Sequence, residues 1–201
     1  MRWLRLASVL WATAAPGAET YTYWIQPCAQ EVAAHSACDA EDPELARWAL
    51  DAWQQAAGRG LRFIPANGEN DARIRLYWLG ERPQLYGETM PLLVNGKRGA
   101  AIEVHPDLSQ LGPRIAAVGQ NDRLFRDTVV YLTCLHEAGH AIGLTHTVNF
   151  EDIMYSFQYG GDILEYFARY RRKLQGRAGI HGHSGISEAD RAEVRKLYAS
   201  E

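Results

Sequence analysis

Residues 136–146 decide the fold, and they read His-Glu-Ala-Gly-His-Ala-Ile-Gly-Leu-Thr-His. On a helix, His136 and His140 lie one turn apart, about 6 Å along the axis and about 40° around it. Two imidazoles on the same helix face can bind one tetrahedral metal ion. The spacing therefore predicts a helix that carries two ligands of a zinc site.

The residues that follow complete this site. Gly143 falls where the helix should end, because glycine enters the left-handed conformation without steric cost. The chain can then reverse, so that His146 approaches the same ion as a third nitrogen ligand and leaves a fourth position for water. Glu137 lies beside the ligand face, where its carboxylate can take a proton from the zinc-bound water and later deliver it to a leaving amine. This constellation indicates metal-assisted hydrolysis of an amide bond.

A second motif follows the third histidine. Met154 lies eight residues after His146, within Ile153-Met154-Tyr155. Together with the histidine motif, this arrangement resembles the metzincin clan of zinc endopeptidases and, within it, the matrixins (the matrix metalloproteinase family), which have a Met-turn at this place. The resemblance covers most of residues 20–200, and its strong motifs lie between residues 136 and 155.

The resemblance implies an α/β (α+β) fold of the metzincin type. A twisted five-stranded mixed sheet with an antiparallel edge strand would pack on an active-site helix and a C-terminal helix. Met154 would form a hydrophobic floor under one catalytic Zn²⁺ and would not be a ligand. A peptide or protein substrate would lie as an added strand against the edge strand. We map that edge strand to Tyr86, Gly87, Glu88, Thr89 and Met90.

The chain after the Met-turn departs from the family pattern. Ser156-Phe157-Gln158-Tyr159 replaces the proline and tyrosine that usually stand there. We expect Tyr155, Phe157 and Tyr159 to contact substrate, but the family's cleavage specificity is not carried over. The family also binds Ca²⁺, for which the sequence identifies no ligands.

An extra segment at about residues 157–185 makes this region longer than in a typical matrixin. Asp162 can cap a helix there. One side of that helix is apolar and comprises Ile163, Tyr166, Phe167, Tyr170 and Leu174. We expect it to pack beside the cleft with its basic face in solvent. A role as a lid or specificity element is the sharper hypothesis.

Hydrophobic periodicity predicts the other elements. Strands are predicted at residues 21–25, 61–64, 73–79, 84–90 and 100–105. The fourth strand is expected to stop at Pro91, because proline cannot donate to the ladder. Helices are predicted at residues 42–57, 127–142 and 187–198. Ser187 and Asp190 form a capping pair at the start of the last helix.

The composition is that of one ordinary globular domain, with 201 residues, 47% hydrophobic and 22% charged. The 21 basic and 24 acidic residues give a formal net charge of -3. Because no long block of like charge occurs, we expect no nucleic-acid partner. No apolar stretch is long enough to span a membrane in the mature protein. We expect a monomer.

The N-terminus has the pattern of a secretory signal peptide. Residues 1–18 combine the basic residues Arg2 and Arg5, a short apolar run and small residues, with cleavage expected between 14 and 18. Residues 19–201 would then form a single catalytic domain that is secreted to the extracellular space or the periplasm. In that oxidising compartment Cys28 and Cys38 can form a disulfide.

Three other interpretations remain open. The chain could be a catalytically idle secreted module that keeps zinc to hold its fold and binds a protein or cell-wall surface, although zinc alone does not require Glu137. A thermolysin-like site would take Glu165 as its third ligand, but Gly143 and His146 favour the histidine. A peptidoglycan amidase would share the ion but not the spacing of His146 and Met154.

Overall fold

The computed structural model describes residues 17–80 and 85–199. Five strands form one sheet in the order β2-β1-β3-β5-β4. Their bounds are β1 (Glu19–Ile25), β2 (Leu61–Pro65), β3 (Ile74–Trp78), β4 (Gly87–Val94) and β5 (Lys97–Val104). The signal-peptide prediction for residues 1–18 falls outside the described residues except for its last two positions.

Seven α-helices accompany this sheet in the described part of the chain. They are α1 (Gln30–Ser36), α2 (Asp42–Ala57), α3 (Pro113–Asn121), α4 (Arg123–Ala141), α5 (Ile163–Arg171), α6 (Ala178–Gly182) and α7 (Glu188–Leu197). Within residues 17–80 and 85–199, none of the helices is both long and apolar enough to cross a bilayer.

The sheet is mixed, with one antiparallel pair at its edge. β1 runs parallel to β2 and β3, and β3 runs parallel to β5, whereas β4 pairs antiparallel with β5. The turn between them places Asn95 and Gly96 at φ 51° and 73°, values that suit a tight two-residue hairpin turn. This arrangement, with α4 and the C-terminal α7, confirms the predicted fold class.

β4 does not stop at Pro91, so that prediction was wrong. Pro91 lies opposite Ala100, whose N–H donates to the carbonyl of Arg73, the residue before β3. In an antiparallel pair, the backbone N–H and C=O groups of two opposite residues either both point toward the partner strand or both point away from it. The nitrogen of Pro91 therefore faces the free edge, where a missing N–H breaks no ladder bond.

The core lies between the sheet and two crossing helices. α2 packs against β1 and β2, α4 packs against β4 and β5, and the two helices pack against each other. On β3, the buried side chains are Ile74, Leu76 and Trp78. The indole nitrogen of Trp53 in α2 donates to the carbonyl of Leu135 in α4 at 2.7 Å, which fixes how the two helices meet.

A disulfide and a helix cap stabilise two other segments of the chain. Cys28 and Cys38 form a disulfide around α1, and Cys134 is a buried free thiol. Asp162 caps α5 by accepting from the backbone nitrogens of Leu164 and Glu165. The disulfide thus closes the chain around α1, and the cap fixes the start of α5.

Candidate metal centre

Three histidines converge at the C-terminal end of α4. His136 and His140 lie on that helix, and Gly143, with φ 105°, lets the chain reverse so that His146 returns to them. The Nε2 atom of His136 lies 3.2 Å from that of His146 and 3.1 Å from that of His140, and the last pair is 3.0 Å apart. In the part of the chain that the structure describes, these three residues form the cluster that could hold a metal ion.

The donor set fits a tetrahedral zinc ion. Zinc binds imidazole nitrogen at about 2.0–2.1 Å, which places tetrahedral ligands about 3.3 Å apart. Three nitrogen atoms that face one another at the observed distances bring their lone pairs together, and a shared cation relieves this repulsion. Burial also lowers the pKa of each ring, that of His136 to about 3 with a further contribution from the charge of His140. A lowered pKa favours the neutral form of each ring, which is the form that binds a metal ion.

The other ring nitrogens are held by backbone carbonyls. Nδ1 of His136 lies 2.7 Å from the carbonyl oxygen of Ile153, and Nδ1 of His140 lies 3.0 Å from that of Leu144. Because a carbonyl only accepts, Nδ1 carries the proton in both rings and Nε2 presents its lone pair. The fold thus selects the tautomer that a metal site requires.

Met154 packs against α4 at Gly139, the residue before His140. It is buried, and a Cβ added at Gly139 would come within 2.4 Å of its sulfur. The missing side chain at Gly139 is therefore what allows the turn at residue 154 to approach the helix. This contact brings the sulfur of Met154 to the part of α4 that carries His136 and His140.

Glu137 is a buried carboxyl group in the same cleft. Its Oε2 atom lies 2.7 Å from the hydroxyl oxygen of Thr89, which is also 3.0 Å from the backbone oxygen of Glu137. Burial raises the pKa of Glu137 to about 7, the Thr89 hydrogen bond opposes that rise, and the charge of Glu88 adds to it. A carboxyl group held in this way is suited to exchange protons near neutral pH.

A cleft of about 550 Å³ contains the three histidines and Glu137. The predicted edge-strand residues Tyr86, Gly87, Glu88 and Thr89 line it. Met90 does not line the cleft, and its side chain is exposed. Tyr86 lies just before β4, and its carbonyl accepts from the backbone nitrogen of His105.

Aromatic side chains also line the cleft. Tyr155 and Phe157, which were predicted to contact substrate, line the cleft, whereas Tyr159 lies outside it and is 55% exposed. Gln158 and Arg98 also line the cleft and were not predicted. Arg98 reaches it because the β4–β5 hairpin folds beside α4, and no local sequence pattern reports that approach.

The alternative third ligand, Glu165, does not join the cluster. It lies on the exposed side of α5 and pairs with Arg172 at 2.5 Å. The thermolysin-like interpretation therefore lacks its ligand.

Comparison with known proteins gives a partial likeness. No protein-family model matches the chain. Over 123 residues, the chain is 30% identical to a protein of Trichoplusia ni ascovirus 2c named "Putative matrix metalloproteinase". The match covers 52% of this chain and 23% of the viral protein, so the chain spans about a quarter of its relative's length.

Proposed function

We propose that the protein is a secreted zinc-dependent endopeptidase of the matrixin type. The observation that carries the proposal is the convergence of three Nε2 atoms at 3.0–3.2 Å beside the buried carboxyl group of Glu137. The partial likeness to the viral protein supports the same reading. Secretion is supported by the pattern of residues 1–18 and by the disulfide, since such bonds persist in oxidising compartments.

His136, His140 and His146 would hold the ion. A zinc ion supplies a Lewis acid that polarises a carbonyl group and increases the acidity of water. Glu137 then acts as the general base that takes the proton from the attacking water and as the acid that gives it to the leaving amine. Thr89 holds the Glu137 carboxyl group in place for both transfers.

The edge strand β4 offers the surface on which a peptide would bind. Since Pro91 faces the free edge, alternation along the strand puts the backbone N–H and C=O groups of Gly87 and Thr89 on that edge too. An extended peptide can pair with these groups without any particular side chain. This mode of binding places the substrate backbone alongside the histidines.

A cleavage assay tests the proposal. Purified protein with one equivalent of zinc should cleave a denatured protein, lose that activity in excess chelator and regain it when zinc is restored. Cleavage that persists in excess chelator would contradict the zinc mechanism. Stoichiometric zinc binding without cleavage of any peptide in a broad library would instead support the idle binding module.

A further inference from the structure

We propose that Tyr166 of α5 is a positioning residue for His136. The inference rests on the zinc site proposed above and assigns a role to the helix that follows the turn at residues 149–155. The phenol group of Tyr166 would hold the peptide group that in turn orients this ligand. It would make no contact with zinc or substrate.

A short chain of hydrogen bonds connects the two residues. The Tyr166 hydroxyl lies 3.0 Å from the carbonyl oxygen of Asp152 and 3.3 Å from that of Ile153. The Ile153 oxygen also accepts the proton of Nδ1 of His136 at 2.7 Å. One backbone carbonyl therefore joins the phenol of α5 to the ring of the ligand.

The same turn is held from its other side by α7. The carboxylate of Asp190 accepts from the backbone nitrogen of Ile153 at 2.7 Å and from that of Met154 at 3.4 Å. Asp190 holds the N–H groups of the turn, and Tyr166 holds its C=O groups. With both sets of bonds in place, the peptide group after Ile153 has little freedom to rotate.

The ring of Tyr166 is itself fixed on several sides, so its hydroxyl has a defined position. The side chain is 4% exposed. Its ring centre lies 5.1 Å from that of Phe157 and 5.5 Å from that of Phe150, and the guanidinium of Arg169 lies 4.5 Å from it. This packing makes the hydroxyl a rigid donor.

Removing that donor should loosen the ligand and leave the fold in place. The turn carbonyls would be buried with one donor fewer, and the Ile153 oxygen would be held mainly through His136. The His136 ring could then sample more orientations, which lowers the fraction of time in which its Nε2 points at the ion. Changes to groups that orient a ligand typically cost 10–100-fold in metal affinity.

The chain offers a matched control on the same helix. Tyr170 is also 4% exposed, and its hydroxyl donates to the carbonyl oxygens of Ile180 and His183, neither of which belongs to the metal-site cluster. Tyr166→Phe and Tyr170→Phe remove the same atom from equally buried rings. Only Tyr166→Phe removes a hydroxyl that is connected to a proposed metal ligand, His136.

Zinc affinity, measured by competition with a chromophoric chelator, is the primary readout. Because Tyr166 acts through the carbonyl and not on the ligand itself, we expect Tyr166→Phe to weaken zinc binding by about 3- to 10-fold. Tyr170→Phe should bind zinc like the wild type. The visible absorption of the Co²⁺-substituted protein should change in intensity in the first variant and stay unchanged in the second.

Two results would overturn the inference. One is an unchanged zinc affinity and Co²⁺ spectrum in Tyr166→Phe, and the other is an equal loss of affinity in both variants, which would indicate general loosening of α5. Thermal unfolding of each metal-free variant shows whether the two lose similar stability. Zinc binding by the wild type tests the proposed function separately, so its failure is distinguishable from failure of this inference.

Discussion

The backbone of Gly87 lies directly against the carboxyl group of Glu137. A Cβ atom added at Gly87 would come within 2.7 Å of both Cγ and Oε1 of that side chain. Real Cβ atoms do not approach so closely, so any larger residue must displace the carboxyl group. The edge strand thus leaves room for the proposed general base because Gly87 has no side chain.

We therefore expect Gly87→Ala to lower kcat by about 10-fold or more, since small displacements of a reacting group are costly. Zinc binding should persist because the histidines are not touched. Gly68→Ala is the matched control, since nothing lies within 4 Å of its added Cβ. Equal peptide cleavage by both variants would refute the tight fit.

Replacing the carboxyl group itself should separate metal binding from turnover. Glu137→Gln keeps the size of the side chain but removes its basicity, and we expect kcat to fall by about 10²- to 10⁴-fold. About one zinc per chain should remain bound, as measured by metal analysis after dialysis. Glu188→Gln, at an exposed position, is the control variant and should cleave like the wild type. Undiminished cleavage by Glu137→Gln would show that the assigned mechanism is wrong.

The hydroxyl of Thr89 should matter for turnover more than for stability. Thr89→Val keeps the branched shape but leaves Oε2 of Glu137 without its 2.7 Å partner. We expect a severalfold lower kcat with little change in KM. Thr89→Ser, which restores the hydroxyl, should recover most of the activity, and failure of this rescue would argue for a packing role.

Cys134 should be unreactive while the protein is folded. Burial raises the pKa of its thiol well above the usual value. At pH 8 the group therefore stays protonated, and the thiolate is the form that reacts. A colorimetric thiol assay should detect almost no thiol in the native protein and one thiol per chain in denaturant. Rapid labelling of the native protein would show instead that Cys134 is accessible.

The disulfide between Cys28 and Cys38 should contribute to stability. In the chain-entropy model, closing so short a loop stabilises the fold by about 3 kcal/mol. Replacing both cysteines by serine should lower the free energy of unfolding by about that amount in a denaturant titration. Zinc affinity should be unchanged, because the bond encloses α1 and none of the three metal-site histidines lies in that loop.

Local spacing was enough to predict part of the site. The four-residue interval between His136 and His140 fixes their relation on any helix, and Gly143 marks where that helix must end. The role of Thr89 was not predicted beyond its place in the strand, because its contact with Glu137 joins residues 48 apart in sequence. Such contacts depend on how the hairpin packs on α4.

The same distinction holds for the fold. The long periodic helix α2 was predicted at its observed bounds, whereas α4 begins at Arg123, a full turn before the predicted start at residue 127. The seven-residue α1 was missed, since a helix this short is stabilised by its tertiary setting and carries little periodicity of its own. Tyr166 was predicted only as part of the apolar face of its helix. The contact of its hydroxyl with the Ile153 carbonyl could not be predicted from that pattern.

Pro91 divides the open edge of the sheet into two parts. The part before it can pair with a guest strand through Gly87 and Thr89, while Pro91 itself has no N–H to offer. An uninterrupted edge along all eight residues of β4 would be a template on which second copies could assemble into aggregates. Pro91 removes one donor from the middle of that template and so shortens the stretch on which another strand could assemble.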